Sequence, residues 1–371
     1  MNRPIRLCLI KNVPTPHQCE TNAAIASRSD IDIHVLYTQP AKAPTQAFSH
    51  EFVPAHRVSE SLYLNRGLIA AMRRYKPDIM MTGQYSSPGS MTAMLYASAT
   101  RLPWVFHAEE PHVRWHSAPV IRSERLRRVA RFLATLPIRR WPREVWAIGG
   151  QAERAYQALT RVPVVNMPYF SDLSRYLAIS RTRPDGPLAV LYFGRLIERK
   201  GVDVLLQALE KLLPLVPDFT VTFAGKGPLS QSVEALADAW PNRVSYVGFV
   251  PPESVQALLA EHDVFVCPSR HDGWGMVIPE AMGAGLAVVA TDAMGASRDL
   301  IRDQKNGLII APDSVDSIVQ ALRSLLEDPA RIAALRDAAR QDVRVVDSRA
   351  GAQRWASRLN AIVSASRGGQ A

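Results

Sequence analysis

Two carboxylates and two glycines lie close together between Ser269 and Thr291. Asp272 directly precedes Gly273-Trp274-Gly275, and Glu280 follows Asp272 by eight residues. Pro279 predicts that a helix begins there, with Glu280 in its first turn. Free backbone N–H groups at such a helix start, beside glycines, allow close approach of an anionic ligand, and two carboxylates can accept hydrogen bonds from paired hydroxyl groups such as those of sugars. The alternative is an ordinary strand–loop–helix connection whose acids are solvated.

Two cations follow an apolar run that ends at Gly194. Arg195 and Lys200 are five residues apart, and Lys200 directly precedes a predicted helix over 202–213. Cations at the carboxyl end of a strand can bind a diphosphate. A second glycine-rich turn contains Gly225 and Gly227. Neither segment matches the dinucleotide-binding or Walker pattern, which disfavours NAD or ATP chemistry.

The order of apolar runs predicts the elements that position these residues. Strands are predicted in the first half at 5–10, 33–37, 78–82, 104–107, 144–148 and 162–165, and in the second half at 188–193, 220–224, 244–247, 264–267, 286–290 and 308–310. Helical patterns separate most of them, which is typical of parallel, doubly wound sheets. We therefore expect two α/β domains with a ligand in the cleft outside the carboxyl ends of the strands.

The chain length and a segment rich in proline and glycine predict the domain boundaries. A chain of 371 residues is expected to form two domains. We expect the first over 1–167, a linker rich in proline and glycine over 168–187, the second over 188–345, and over 346–371 a helix that returns to the first domain, with a tail. The three cysteines are widely spaced, which indicates reduced, cytosolic usage. No apolar run is long enough to span a membrane, and no secretory signal pattern is present.

The net charge of +10 is concentrated in one segment. Between residues 121 and 143 there are eight arginines against one acid, Glu124. Apolar residues fall on one side of a predicted helix that ends at Pro137, and Trp141 follows it. This pattern is typical of a membrane-surface helix, and a helix packed on the sheet is the alternative. Nucleic acid is a weaker explanation, because the arginines share a helix with an apolar stripe and no nucleic-acid module is present.

The motifs taken in order resemble a known family. They run Phe193-Gly-Arg195, Lys200-Gly201, Gly225-Lys-Gly-Pro228, Val247-Gly-Phe249, Pro268-Ser269, Asp272-Gly-Trp-Gly, Pro279-Glu280-Ala-Met and Asn306-Gly307. This series resembles the retaining glycosyltransferase family 4, most strongly over about residues 187–325 and most closely its bacterial surface-polysaccharide and lipid-linked-glycan members. The resemblance implies the GT-B fold, in which two Rossmann-like domains lie on either side of a cleft.

The resemblance also implies roles for individual residues. Arg195 and Lys200 would neutralise the donor diphosphate, and Gly225 and Gly227 would lie in the donor site. Glu280 would bind the ribose hydroxyls, and Asp272 would lie beside the donor sugar near the amides of Gly273, Trp274 and Gly275. His107, at the carboxyl end of a strand, would be an active-site histidine near the sugar; a structural histidine is the alternative. The family most often has Glu and Phe where this chain has Asp272 and Trp274, and often has glycines where it has Val13-Pro-Thr-Pro-His17.

The expected activity follows from these roles, with His107, Asp272, Arg195 and Lys200 as catalytic residues. We expect a hexose-type sugar to pass from a UDP- or GDP-sugar to a glycan or lipid-linked acceptor, with retention of anomeric configuration and without a metal. The setting would be cell-surface polysaccharide or glycolipid synthesis in the cytoplasm, at the inner face of the membrane through the 121–143 helix. The alternatives are a catalytically idle GT-B scaffold and a nucleotide-sugar epimerase on the same fold. No nucleic-acid partner is expected.

Overall fold

The computed structural model describes residues 3–39, 48–53, 56–57, 63–64, 67–83, 87–111, 132, 135–180 and 186–368. The chain divides into two compact units. The first comprises Met1–Asp172 with Ser348–Ala371, and the second comprises Leu173–Asp347. The segment expected to link two domains is therefore shared between the units, which divide at 172/173.

The strands and helices alternate along most of the chain. The strands are β1 Ile5–Lys11, β2 Ile31–Tyr37, β3 Ser49–Phe52, β4 His56–Arg57, β5 Tyr63–Leu64, β6 Ile79–Thr82, β7 Trp104–Ala108, β8 Glu144–Ala147, β9 Val164–Asn166, β10 Leu188–Phe193, β11 Phe219–Ala224, β12 Val244–Gly248, β13 Val264–Cys267, β14 Ala287–Thr291 and β15 Leu308–Ile310. The helices are α1 Pro16–Ala26, α2 Leu68–Tyr75, α3 Pro88–Ala99, α4 over residues 135–140, α5 Gly150–Leu159, α6 Ser174–Leu177, α7 Val202–Leu212, α8 Ser230–Ala239, α9 Val255–Ala260, α10 Val277–Ala284, α11 Gly295–Leu300, α12 Val315–Leu326, α13 Pro329–Asp342 and α14 Ser348–Gly368.

The first unit contains a seven-stranded parallel sheet in the order β3-β2-β1-β6-β7-β8-β9. β1 bonds to both β2 and β6, so the direction of winding reverses at β1. Helix α14, at the end of the chain, packs on α1 in this unit. In such sheets ligands bind outside the carboxyl ends of the strands at the point of reversal.

The second unit contains a six-stranded parallel sheet in the order β12-β11-β10-β13-β14-β15. β10 is the strand at which the winding reverses, because it bonds to both β11 and β13. Helix α7 covers this sheet with a stripe of fully buried leucines, Leu205, Leu209 and Leu212. Burial of each such side chain stabilises the fold by about 1.5–3 kcal/mol, which fixes the loops before and after α7.

Three local predictions were wrong. Helix α10 begins at Val277 and not at Pro279, since a proline anywhere in the first turn sacrifices no helical hydrogen bond. Pro137 does not end the basic helix, because residues 135–140 are helical around it and the Trp141 amide donates to its carbonyl. Strand β3 was missed, because its sequence Ser-His-Glu-Phe carries no apolar run and it pairs only with β2 at the edge of the sheet.

Candidate functional site

The predicted donor-binding residues of the second unit all follow the carboxyl ends of its strands or begin α10. Arg195 and Lys200 follow β10, Gly225 and Gly227 follow β11, and the loop with Asp272 follows β13. Because these strands are parallel neighbours, their carboxyl ends share one edge of the sheet. The structure therefore brings these loops together at the strand where the winding reverses, where α/β sheets bind ligands.

The loop after β10 presents one free cation and one paired cation. Arg195 is exposed, and among the described residues its guanidinium has no hydrogen-bond or ion-pair partner. Lys200 ends a short 3-10 turn, and Gly201 follows it with φ of 71°. A Cβ on Gly201 would lie 2.0 Å from the Pro268 carbonyl oxygen. Only glycine therefore lets this loop pack against the end of β13.

The close packing of these two loops forms an ion pair across them. The Lys200 amine donates a short hydrogen bond to the Asp272 carboxylate, and both side chains are about four-fifths buried, at 16% and 22% exposed. The pair joins the predicted phosphate-binding cation to the carboxylate predicted beside the donor sugar. A ligand phosphate that binds Lys200 must therefore compete with Asp272 for the amine.

The glycines after β11 pack against backbone carbonyl groups of the loop after β10. A Cβ on Gly225 would lie 1.8 Å from the Gly194 carbonyl oxygen, and one on Gly227 would lie 2.2 Å from that of Leu196. Their amides are also engaged, that of Gly225 with the Gly248 carbonyl and that of Gly227 with the Ser230 hydroxyl. These glycines allow the β10 and β11 loops to touch, so their contribution to a ligand site is to shape it.

The loop before α10 offers backbone donors. No hydrogen bond from the N–H groups of Gly273, Trp274 or Gly275 is present within the described part of the chain. The Trp274 ring is 1% exposed and anchors this loop, while its indole N–H has no acceptor in the described part of the chain. Gly275 has φ of 90°, which is a left-handed conformation that favours glycine. Together these amides precede the positive end of the α10 dipole, which suits a phosphate group.

Glu280 lies in the first turn of α10 and is half-buried. Its carboxylate accepts a hydrogen bond from Tyr176 of α6, whose pKa is raised well above its usual range by burial and then by the Glu280 charge. A Cβ on Gly283, one turn further along α10, would lie 3.2 Å from the Cβ of Tyr176, so α6 and α10 pack closely here. Helix α6, from the predicted linker, thus orients Glu280.

Arg270 was not predicted from the sequence, although it fixes both loops. Its guanidinium forms a bidentate pair with Asp203 of α7, with both N–O distances 2.7 Å, and also binds Asp313 and the Glu198 carbonyl. These bonds lower the pKa of Asp203 and raise that of Arg270. Its position between a buried strand and the acid motif is the sequence signal that could have identified it.

His107 belongs to the first unit, where it ends β7 and is 5% exposed. Its Nε2 donates to the Met167 carbonyl at 3.0 Å, and its ring packs edge-on against Trp146, Tyr169 and Trp355. Burial, then Lys11, lowers its pKa to about 3. The imidazole is therefore neutral at pH 7, and its Nδ1, which has no partner within the described ranges, is a hydrogen-bond acceptor.

Residues 178–342 match a protein family described as glycosyl transferases group 1. This range covers the loops after β10, β11 and β13 together with α10, including every donor-side residue predicted from the sequence. The rest of the chain, with His107, lies outside the matched range.

Curated relatives extend the similarity beyond residues 178–342. The chain is 29% identical over 308 residues to a sulfoquinovosyl transferase, SQD2, of Arabidopsis thaliana, covering 79% of this chain and 58% of that protein. It is 32% identical over 252 residues to a GDP-mannose-dependent alpha-(1-6)-phosphatidylinositol monomannoside mannosyltransferase of Mycolicibacterium smegmatis, covering 64% of each. The chain thus spans less than two thirds of the length of these relatives.

Solved structures share the fold over nearly the whole chain. Alr3699/HepE of Anabaena, crystallised with UDP, superposes with a TM-score of 0.75 at 18% identity over 96% of this chain and all of that chain. A sucrose-phosphate synthase of Thermosynechococcus elongatus superposes with a TM-score of 0.74 at 17% identity over 97% of this chain and all of that chain. The chain shares the α/β fold of two Rossmann-like, parallel-sheet units with these structures, so the predicted fold class is confirmed.

The described residues include all of 178–342 except for 181–185. In that part of the chain, no three His, Cys, Asp or Glu side chains are grouped so that they could hold a metal ion. No helix there has both the length and the apolar character to cross a bilayer.

Proposed function

We propose that the protein is a retaining glycosyltransferase of family 4. It moves a hexose-type sugar from a UDP- or GDP-sugar to a glycan or lipid-linked acceptor in cell-surface polysaccharide or glycolipid synthesis. The observation that carries the proposal is the edge of the second sheet. Among the described residues, an unpaired arginine and a lysine lie there in the loop after β10, and free backbone amides lie in the loop that leads into the helix bearing Glu280.

The proposed chemistry assigns charge balance to the protein. Arg195 and Lys200 neutralise the diphosphate as it leaves, and the amides at 273–275 add hydrogen bonds to phosphate and sugar oxygens. Glu280, oriented by Tyr176, accepts hydrogen bonds from the ribose hydroxyls. Asp272 lies beside the donor sugar, and His107 stays a proposed catalytic residue of the first unit. Because two cations can replace a metal ion at the diphosphate, we propose that turnover does not depend on a divalent metal, so EDTA should leave the rate unchanged.

Nucleotide binding and turnover test this proposal on the full-length protein. A ligand bound only by the folded state raises the melting temperature. Of UDP, GDP and ADP, each tested with its sugar conjugate, we expect one to raise the melting temperature and the other two to leave it unchanged. Lys200→Ala and Glu280→Gln should each lower turnover by at least a hundredfold while leaving the fold intact. Glu261→Gln, an exposed acid after α9, is the matched control. Turnover at the wild-type rate in either site variant would remove that residue from the proposed site.

A catalytically idle scaffold is the second candidate, and the ion pair between Lys200 and Asp272 favours it. Because the Lys200 amine is paired with Asp272, it is not available to bind the donor phosphate without competition. Nucleotide binding without sugar transfer or hydrolysis would support the scaffold. A nucleotide-sugar epimerase would instead convert the donor in the absence of any acceptor, which analysis of the reaction products detects.

We also propose that the protein binds the inner face of the cytoplasmic membrane through its first unit. Of the 121–143 segment, residues 121–131 and 133–134 lie outside the described residues, while Phe132 and Trp141 are 50% and 49% exposed. The Arg139 guanidinium lies 4.6 Å from the centre of the Phe132 ring. A surface groove of about 770 Å³ joins Trp141 to α3, lined by Leu95, Arg101, Leu102, Arg140 and Arg143 among others.

Exposed apolar rings beside arginines suit an anionic lipid surface. Sedimentation with vesicles of phosphatidylcholine and phosphatidylglycerol tests the proposal. Trp141→Ala combined with Leu95→Ala should weaken binding at least fivefold, whereas Phe249→Ala, an exposed ring of the second unit at 66%, should not. Equal binding by all three proteins would contradict the assignment of this surface.

A further inference from the structure

A lysine without a counterion among the described residues lies at the end of β1, an interior strand of the sheet in the first unit. Lys11 is the last residue of β1 and lines a pocket of about 340 Å³ at the point where the winding of this sheet reverses. Within the described ranges its amine has no hydrogen-bond or ion-pair partner. Transfer of an ammonium group from water into a partly buried pocket costs free energy unless an anion pairs with it.

Neutral polar groups surround this lysine on its inner side. A cavity of about 20 Å³ is lined by Lys11 together with His17, Asn22, His107 and Trp355, and each of these four has a buried nitrogen with no partner among the residues that the structure describes. Burial and the Lys11 charge lower the pKa of His17 to about 4, so both histidines are neutral at pH 7. Neither histidine therefore competes with Lys11 as a cation.

The Nδ1 atom of His107 sets a second requirement for the ligand, which is a hydrogen-bond donor. Its Nε2–H is committed to the Met167 carbonyl, so Nδ1 carries a lone pair that needs a hydrogen-bond donor. His107 lines both the inner cavity and the outer pocket, as does Lys11. A ligand that satisfies both residues carries an anionic group and a hydroxyl group.

Two carboxylates on the pocket wall limit the charge of the ligand. Glu109 and Glu110 follow β7 and line the pocket, and the Glu109 carboxylate accepts a hydrogen bond from the Tyr169 hydroxyl. Two acids on the wall repel a phosphate dianion more strongly than a monoanion. A monoanion therefore pairs with Lys11 in this pocket at a smaller electrostatic cost than a dianion does.

We propose that this pocket binds a hydroxylated monoanion, a carboxylate or a phosphodiester, and that the glycosyl acceptor is accordingly acidic. The Lys11 amine pairs with the anionic group, and His107 Nδ1 accepts a hydrogen bond from a neighbouring hydroxyl. This identification of the bound molecule as the acceptor rests on the proposed glycosyltransferase function, whereas the binding itself does not.

Titration with simple probes tests the inference on the full-length protein. D-glucuronate and glycerophosphoglycerol represent the two sources of the monoanion. Glucose is the neutral comparison, and inorganic phosphate, a mixture of monoanion and dianion at pH 7, is the more highly charged one. Trp146 and Trp355, which contact His107, give a fluorescence signal for binding. We expect one of the two monoanions to bind at least tenfold more tightly than glucose or inorganic phosphate, and the tighter one identifies the source.

Substitution of the lysine separates this pocket from the donor site. Lys11→Met keeps the length of the side chain and removes its charge, and it should weaken monoanion binding at least tenfold. Lys76→Met, at an exposed lysine of the same unit, should leave it unchanged. Nucleotide binding, measured on the same samples, should be the same in all three proteins. Removal of a cation without a partner should not unfold the protein, so the variant remains a fair test.

The pH dependence adds an independent readout. Burial lowers the pKa of Lys11 to about 8, so the amine is charged at pH 7 and neutral at pH 9.5. The titratable groups around it are His17 of α1, His107 of β7, Glu109, Glu110 and Tyr169. We therefore expect monoanion binding to fall between pH 7 and pH 9.5 in the wild-type protein.

Three outcomes would overturn the inference: equal binding of glucose and both monoanions, tighter binding of inorganic phosphate, or undiminished binding by Lys11→Met. If nucleotide binding fails while monoanion binding holds, the proposed function is wrong and the pocket stands.

Discussion

Asp272→Asn is expected to tighten the binding of the nucleoside diphosphate while it lowers turnover. The Asp272 carboxylate holds the Lys200 amine in a short ion pair, and both groups are needed in the proposed reaction. A diphosphate that enters the site must take Lys200 from Asp272. Asparagine is nearly the same size and cannot form the ion pair, so the amine becomes available to phosphate without that competition.

The burial of the pair sets the size of the effect. Exposed ion pairs contribute up to about 1 kcal/mol, and breaking fully buried ones costs about 3–5 kcal/mol. With side chains 16% and 22% exposed, this pair lies between those limits, nearer the exposed one because water reaches both groups. If breaking the ion pair costs about 1–1.5 kcal/mol, removing it should raise the affinity for nucleotide about five- to twelvefold.

Isothermal titration of UDP and GDP without metal measures this gain. Asp316→Asn is the matched control, because Asp316 pairs with Lys211 at 3.0 Å on the surface and its loss changes the net charge by the same amount. The control should bind nucleotide as the wild type does. Asp272→Glu keeps the charge and should not show the gain. Weaker nucleotide binding by Asp272→Asn would refute the reasoning, since it would mean that Asp272 holds Lys200 in the position that phosphate requires.

Three further predictions concern stability. Gly225→Ala should destabilise the protein by at least about 3 kcal/mol in urea unfolding, because Gly225 has φ of 135° and a Cβ would overlap the Gly194 carbonyl; Gly368→Ala, which meets nothing within 4 Å, should be neutral. The free energy of unfolding should fall by about 1.4 kcal/mol for each pH unit below 6.5 through His107. The reason is that the pKa of His107 is lower in the folded protein than in the unfolded chain, so only the unfolded chain takes up the proton in this range. His107→Gln should therefore show a shallower pH dependence in melts from pH 7 to 5. Trp274→Phe should change stability by no more than about 1 kcal/mol, because the lost ring contacts are offset by removal of an indole N–H without an acceptor; a larger loss would mean that the N–H is bonded in solution.

Apolar strands were predicted well, because burial on both sides of a parallel sheet leaves a continuous hydrophobic run in the sequence. β10, β13 and β15 have the predicted bounds, and the other predicted strands differ from theirs by one or two residues at an end. β3 shows the limit of that signal. An edge strand that is only partly buried needs no apolar run, and its position depends on pairing with β2, which lies twelve residues earlier in the chain.

The residue types of the donor site were predicted, and their contacts were not. The glycines show why: the motif Gly225-Lys-Gly227 is equally consistent with a loop that touches a ligand and with one that touches another loop. The deciding fact is the position of Gly194, which is set by the register of β10 against β11. Similarly, Lys200 and Asp272 are 72 residues apart, and they meet because β10 and β13 are neighbours.

Lys11 was missed although its signal is simple. An ionisable residue that ends an apolar strand of a parallel sheet must lie at the carboxyl edge, and the strand where the winding reverses is where ligands bind. What the sequence cannot provide is whether a carboxylate reaches that amine. Glu109 and Glu110 follow β7, two strands away from β1, and could have neutralised it. Instead Glu109 accepts a hydrogen bond from Tyr169, and the amine is left for a ligand. The absence of a partner is a property of the whole set of neighbours, so it emerges only once all of them have been placed.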